Sequence, residues 1–201
     1  VSTGSLVTAR TGHNFTTLDD GRILITGGTD ASANQLRSAE VYDYVTGTFT
    51  ATGNMGVPRS QHRNALLSTG NILVTGGQNG TASTALRSAE LYDPLAGTFS
   101  PTGNLASGVY GMVNYRRLHR VTALTTNGKI LVTGGIGGTN TSTDTLSTAE
   151  LYDPNTGLFT ATTGTMVYSR RSHQQTRLRD GRVLVVGGVG KLGGGTPTAA
   201  L

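Results

Sequence analysis

The chain has 201 residues, no cysteine, a formal net charge of +5 and 14 arginines against 2 lysines. The lack of cysteine excludes disulfides, thiolate metal sites and a cysteine nucleophile. Apolar runs are too short to span a membrane and show no sustained helical spacing, so the sequence predicts an all-β protein without membrane insertion.

The first 55 residues contain a strand pattern that we divide into strands a to d. His13 opens strand a, and a turn glycine leads to the apolar strand b, Ile23-Leu24-Ile25, which ends at Gly27-Gly28. A polar loop leads into strand c, Ala39-Glu40-Val41-Tyr42-Asp43, and strand d carries Phe49. Because strand b is apolar at consecutive positions, we expect it to be buried on both faces.

This pattern returns along the chain, and it predicts units at about 7–55, 56–105, 106–166 and 167–201. The recurring residues are the double glycines and, in the first three units, a glutamate and a tyrosine of strand c: Gly27, Gly28, Gly76, Gly77, Gly134, Gly135, Gly187, Gly188, Glu40, Glu90, Glu150, Tyr42, Tyr92 and Tyr152. The fourth unit stops where strand c opens and is incomplete. Four-stranded sheets bury their faces by stacking on neighbours, so we predict a β-propeller or an open arc of one.

The double glycine, the Tyr-Asp-Pro-x-x-Gly-x-Phe segment at 92–99 and the Arg-x-x-His before strand a resemble Kelch repeats. More narrowly, they resemble the bacterial repeats related to the central domain of galactose oxidase. The resemblance covers nearly the whole chain and implies antiparallel blades in arrays that usually number six or seven. We therefore expect further blades, another copy or a partner chain to complete the propeller, since an open arc exposes sheet edges.

The two faces of such an array differ in their connections. The d–a connections and b–c loops emerge at one face, which we call the loop face, and the a–b and c–d turns emerge at the other, the turn face. The b–c loops have 10, 11, 13 and 10 residues, and the third d–a connection has about seven extra residues within 106–115. Variable loops on a rigid frame often carry recognition. We expect contacts from Tyr110, Met112 and Tyr115, unless the insertion only covers the edge or channel.

Arginine dominates the segments that lead into strand a. Segments 1–18, 54–67, 104–125 and 164–178 contain nine arginines and no acidic residue. The candidate anion-binding residues on this face are Arg10, Arg59, Arg116, Arg117 and Arg170. The alternative, which we favour, is a structural ion pair from Arg10, Arg59 and Arg116 across the double glycine to Glu40, Glu90 and Glu150, because a buried arginine requires such a partner.

The remaining repeated residues have structural interpretations. Ala200 takes the place of the glutamate in the fourth unit, which predicts that Arg170 turns to a neighbour or an anion. We interpret the four histidines as packing and hydrogen-bonding residues rather than as a metal ring. The three tyrosines are predicted to pack between blades.

No unique catalytic set stands out, so the sequence predicts a noncatalytic protein- or glycan-binding or scaffold module, without a cofactor. Galactose-oxidase-like copper chemistry needs a cysteine-linked tyrosine, which a chain without cysteine cannot form. Alternatives are a self-assembling structural subunit and a fragment of a sugar-active Kelch enzyme. The expected partner is a protein or an acidic glycan, and nucleic acid is disfavoured because aromatic residues are few. The chain opens Val1-Ser2-Thr3 without a signal peptide, which suggests a processed or excised piece. We expect it to belong to a larger, extracellular or cell-surface bacterial protein.

Overall fold

A computed structural model describes residues 3–80, 84–103, 111–138, 144–191 and 199–200. Across these ranges the regular structure consists of strands and turns, without a helix, which confirms the all-β prediction. No helix long and apolar enough to cross a membrane occurs in the described part.

Four antiparallel sheets follow each other along the chain, and we call them blades 1 to 4. The strands of blade 1 are β1 (Asn14–Thr17), β2 (Ile23–Thr26), β3 (Ala39–Asp43) and β4 (Thr48–Ala51). Those of blade 2 are β5 (Arg63–Leu66), β6 (Ile72–Thr75), β9 (Ala89–Asp93) and β10 (Thr98–Thr102), with a small ribbon of β7 (Gln78–Asn79) and β8 (Thr84–Ala85) in its b–c loop. Those of blade 3 are β11 (Arg120–Ala123), β12 (Ile130–Thr133), β13 (Ala149–Asp153) and β14 (Leu158–Ala161). Blade 4 has β15 (Gln174–Arg177), β16 (Val183–Val186) and β17 (Ala199–Ala200).

The pairing register of strands b and c is the same in every blade. The third residue of strand b faces the glutamate, as in Ile25 opposite Glu40. In blade 4, Val185 faces Ala200, so this alanine occupies the position of the glutamate.

The blades are arranged radially, with strand a innermost. β1 lies beside β5, β5 beside β11, and β11 beside β15. One apolar cluster lies between blades 1 and 2 and another between blades 2 and 3, and all four residues of β6 are buried. The sheets form an open arc of a propeller, as the repeats predict.

In blades 1 to 3 the tyrosine of strand c joins the blade to the segment that leads into it. Its ring packs on the phenylalanine of strand d with centroids 4.7–4.8 Å apart. Its hydroxyl shares a hydrogen bond with a threonine of that segment, as between Tyr92 and Thr52 at 2.8 Å. This confirms the predicted interblade role of the tyrosines.

Candidate functional site

A buried ion pair links the entry of strand a to strand c in blades 1 to 3. The Nη2–Oε1 distances are 2.5 Å for Arg10–Glu40, 2.6 Å for Arg59–Glu90 and 2.8 Å for Arg116–Glu150. All six side chains are buried. Burial lowers the pKa of Arg59 and Arg116, and the adjacent glutamate opposes that shift. The structural interpretation of these three arginines is confirmed, and their assignment as ligand contacts is corrected because no donor faces solvent.

The guanidinium also binds the backbone beside the double glycine. Arg59 donates from Nη1 to the carbonyl of Gly76 at 2.7 Å and to that of Ser88 at 3.1 Å. Gly76 has φ +55°, and a Cβ there would come within 2.3 Å of the carbonyl oxygen of Arg116. The double glycine is required because the entry segment of the next blade passes directly over it.

The glutamates hold the d–a connections in place. Glu150 accepts the backbone N–H of Val113 at 2.6 Å and that of Asn114 at 3.0 Å. Glu40 and Glu90 accept the equivalent pairs of N–H groups in the first two connections. One carboxylate therefore fixes both an arginine and the loop that precedes it.

Blade 4 keeps the arginine without the glutamate. Arg170 is buried and donates from Nη1 to the carbonyl of Gly187 at 2.9 Å, as its counterparts do to their own double glycines. Its Nε lies 3.5 Å from the carbonyl oxygen of Tyr168. The backbone-binding role of this arginine is thus independent of the carboxylate.

Three histidines connect neighbouring blades. The Nε2 atoms of His62, His119 and His173 lie 2.7–2.8 Å from threonine hydroxyls at the end of strand b in the preceding blade. Burial lowers the pKa of all three, that of His173 to about 4, and nearby arginine charges act in the same direction. These histidines are neutral packing and hydrogen-bonding residues, as predicted. Within the described ranges, no group of three or more potential metal ligands comes together.

The structure places the three residues predicted as aromatic and soft contacts in different environments. Tyr110 lies outside the described residues. Met112 is fully buried, with its methyl group close to Gly76, so its assignment as a surface contact is corrected. Tyr115 is 43% exposed, and the guanidinium carbon of Arg87 lies 5.5 Å from its ring centroid.

A sequence signal for the burial of Met112 exists. The three methionines of the chain, Met55, Met112 and Met166, each stand four residues before the repeated arginine. Each places its methyl group near the first glycine of the preceding double glycine. The extra residues of the third connection therefore lie before Met112.

A cavity of about 350 Å³ opens on the turn face between blades 1 and 2. Its lining includes Asp20 and Arg22, which pair with each other at 2.7 Å, and Asp93, which accepts N–H groups of its own turn. Asp20, Arg22 and Asp93 are thus committed to local structure.

Comparison with protein families matches the Kelch motif at residues 10–56, 62–106 and 117–163. These segments span most of blades 1 to 3 and more than half of the chain. A search of curated proteins finds no match.

Proposed function

The chain belongs to the Kelch-repeat family, and we propose that it serves as a noncatalytic protein-binding module that uses its loop face. Kelch repeats suggest a protein-binding β-propeller and are generally noncatalytic. The observation that carries the proposal is a set of exposed apolar side chains on the d–a connections, and buried glutamates hold the backbone of the connections into blades 1 and 3. The exposed side chains are Val7, Val113, Tyr115, Val167 and Tyr168, with exposures from 38% to 81%.

The third connection illustrates the arrangement. Glu150 fixes the N–H groups of Val113 and Asn114, while the side chains of Val113 and Tyr115 project to solvent. Because the backbone at 113 and 114 is already held, this segment loses little conformational freedom when a partner binds. Exposed tyrosine beside arginine is also the composition that protein interfaces favour.

The test uses affinity purification from cells of the source organism. The baits are the wild-type chain, Tyr115→Ala on the loop face and Tyr44→Ala on the turn face, where Tyr44 is 61% exposed. We expect a protein that is retained by wild type and by Tyr44→Ala, with recovery at least roughly tenfold lower for Tyr115→Ala. A partner lost with Tyr44→Ala and retained with Tyr115→Ala would overturn the choice of face.

We further propose that this module belongs to a larger secreted or cell-surface bacterial protein, and that acidic glycans are alternative ligands. The arginine-rich entry segments support the second point, because a basic face attracts anions. A glycan array probed with the same three proteins separates the two ligand classes. If Tyr115→Ala binds glycans as well as wild type does, the glycan site lies elsewhere on the molecule.

The side of blade 1 that faces away from blade 2, which we call its open flank, favours an additional role in assembly. Phe15 is 66% exposed there, whereas Asn64, at the same strand position in blade 2, is buried against blade 1 and donates to the hydroxyl of Thr26 at 2.9 Å. We propose that further blades, another copy or a partner chain covers this flank. Light scattering across a concentration series, with Phe15→Ser as a control, tests the second copy. A wild-type monomer at every concentration would remove that option.

A further inference from the structure

A belt of backbone hydrogen bonds runs between the blades at the inner end of the entry segments. The N–H of Gln61 donates to Gly12, that of Leu118 to Gln61, and that of Ser172 to Leu118, at 3.0–3.1 Å. Gln61, Leu118 and Ser172 have φ between 52° and 56°, which few residues other than glycine adopt. The belt therefore fixes the residues on either side of it in successive blades.

Four arginines flank this belt, and we call them the axial arginine cluster. Arg117 and Arg171 stand immediately before the belt residues of blades 3 and 4, while Arg63 and Arg120 open the inner strands β5 and β11. In the described ranges, none of the four forms an ion pair, unlike the three repeated arginines already paired with glutamate. All four lie in the basic segments of the sequence, but only Arg117 is among the predicted anion-binding residues.

Neutral acceptors orient the cluster without neutralising it. Arg63 donates to the carbonyl of His62 at 2.9 Å, and Arg120 donates to that of His173 at 2.5 Å. Arg117 donates to the side-chain oxygen of Gln78 at 2.7 Å. Backbone carbonyls and an amide supply acceptors but no negative charge.

Two N–H groups of the cluster have no acceptor in the described ranges, and its positive charges repel one another. The Nε–H groups of Arg63 and Arg171 are shielded from solvent without an acceptor in the described ranges. Burial and the charge of Arg120 lower the pKa of Arg63 to about 10. Burial and the charge of Arg171 lower the pKa of Arg117. An acceptor that brought negative charge would satisfy the donors and relieve the repulsion.

We propose that the axial arginine cluster is an oxyanion-binding site that takes carboxylate or phosphate groups. The planar guanidinium fork matches both groups in bidentate geometry. The carboxylates of an acidic segment in a protein partner are one source, and this arm deepens the proposed protein-binding function and rests on it. Free phosphate is the other source and is independent of that function.

The test is calorimetric titration of the whole chain with inorganic phosphate, a hexaglutamate peptide and a hexaglutamine peptide. The site variants are Arg117→Gln with Arg171→Gln, and Arg63→Gln with Arg120→Gln. The control is Arg179→Gln, which removes an exposed arginine from a turn on the opposite face. We expect wild type and Arg179→Gln to bind at least one of the two anions and not hexaglutamine. Each site variant should bind at least roughly tenfold more weakly, and added salt should weaken the wild-type complex.

Thermal melts distinguish loss of the site from loss of the fold. The site variants remove like charges but also the bonds to His173 and Gln78, so without anion they should still unfold in one cooperative transition. The anion should raise only the wild-type and control midpoints. Binding of hexaglutamate alone identifies an acidic partner segment, and binding of phosphate identifies a free anion; both support the site. Binding of neither anion, or equal loss with Arg179→Gln, overturns it. The affinity purification with Tyr115→Ala tests the proposed function separately, because all the proteins used as baits there retain the four arginines.

Discussion

Removal of the Glu90 carboxylate should cost this protein much of its stability. Glu90 lies 2.6 Å from Arg59, and both side chains are almost fully buried. The same carboxylate accepts the N–H groups of Gly56 at 2.6 Å and Val57 at 3.3 Å. Glu90→Ala therefore leaves a buried guanidinium and two backbone donors without these acceptors.

The expected loss can be compared with that of an exposed pair in the same chain. Removing one partner of a buried ion pair costs about 3–5 kcal/mol. For a chain of this size, that lowers the melting temperature by roughly 6–20 °C. Arg22–Asp20 has a similar distance of 2.7 Å, but its side chains are 38% and 49% exposed. Asp20→Ala should therefore cost less than about 1 kcal/mol.

Urea unfolding and thermal melts followed by circular dichroism measure both variants. Hydrogen exchange should place the Glu90→Ala loss at the connection through Gly56 and Val57. The double variant Arg59→Met with Glu90→Met removes the charge but not the need of the backbone groups for partners, so it should remain less stable than wild type. A Glu90→Ala midpoint within about 2 °C of that of Asp20→Ala would refute the reasoning.

Three further predictions concern the contacts between blades. The three interblade histidines have pKa values below the ordinary 6.5, so the stability that they contribute is fully present above pH 6.5 and is lost as the pH falls towards 4, the pKa of His173. The free energy of unfolding should fall by up to about 1.4 kcal/mol per pH unit for each histidine. Urea titrations between pH 4 and pH 7.5 should show this slope, and a flat profile would contradict it. Gly80→Ala should lower the free energy of unfolding by about 1–2 kcal/mol, because Gly80 has a positive φ. Gly76→Ala should lower it clearly more, because Gly76 also has a positive φ and a backbone atom lies within 2.3 Å of the added Cβ. Equal losses in urea unfolding would show that the backbone of the next blade shifts to make room. Thr75→Val removes the hydroxyl 2.8 Å from His119 Nε2 and should lower stability by about 1–3 kcal/mol in the same assay, while an unchanged midpoint would mean that the histidine finds another partner.

Much of the candidate site could be predicted from sequence wherever the repeat supplied both partners. Arg59 recurs three residues before the histidine of strand a and Glu90 recurs as the second residue of strand c. Because strands a and c lie on either side of strand b, their pairing follows from geometry. Met112 was misassigned because the insertion before it obscured its equivalence to Met55. Arg63 and Arg120 share one repeat position, and Arg117 and Arg171 share another, but only the packing of neighbouring blades showed that these positions lie beside each other.

The sequence by itself determined the four blades, the register of their strands and the pairing inside each blade. Those features depend on contiguous residues, on the alternation of side chains along a strand and on turn chemistry, all of which recur with the repeat. Only the tertiary structure decided which histidine meets which threonine, where the methionines insert and which arginines gather at the belt. Such contacts join different blades, 36 to 44 residues apart in the histidine–threonine bonds. They depend on the twist and packing angle of whole sheets, which no single repeat specifies.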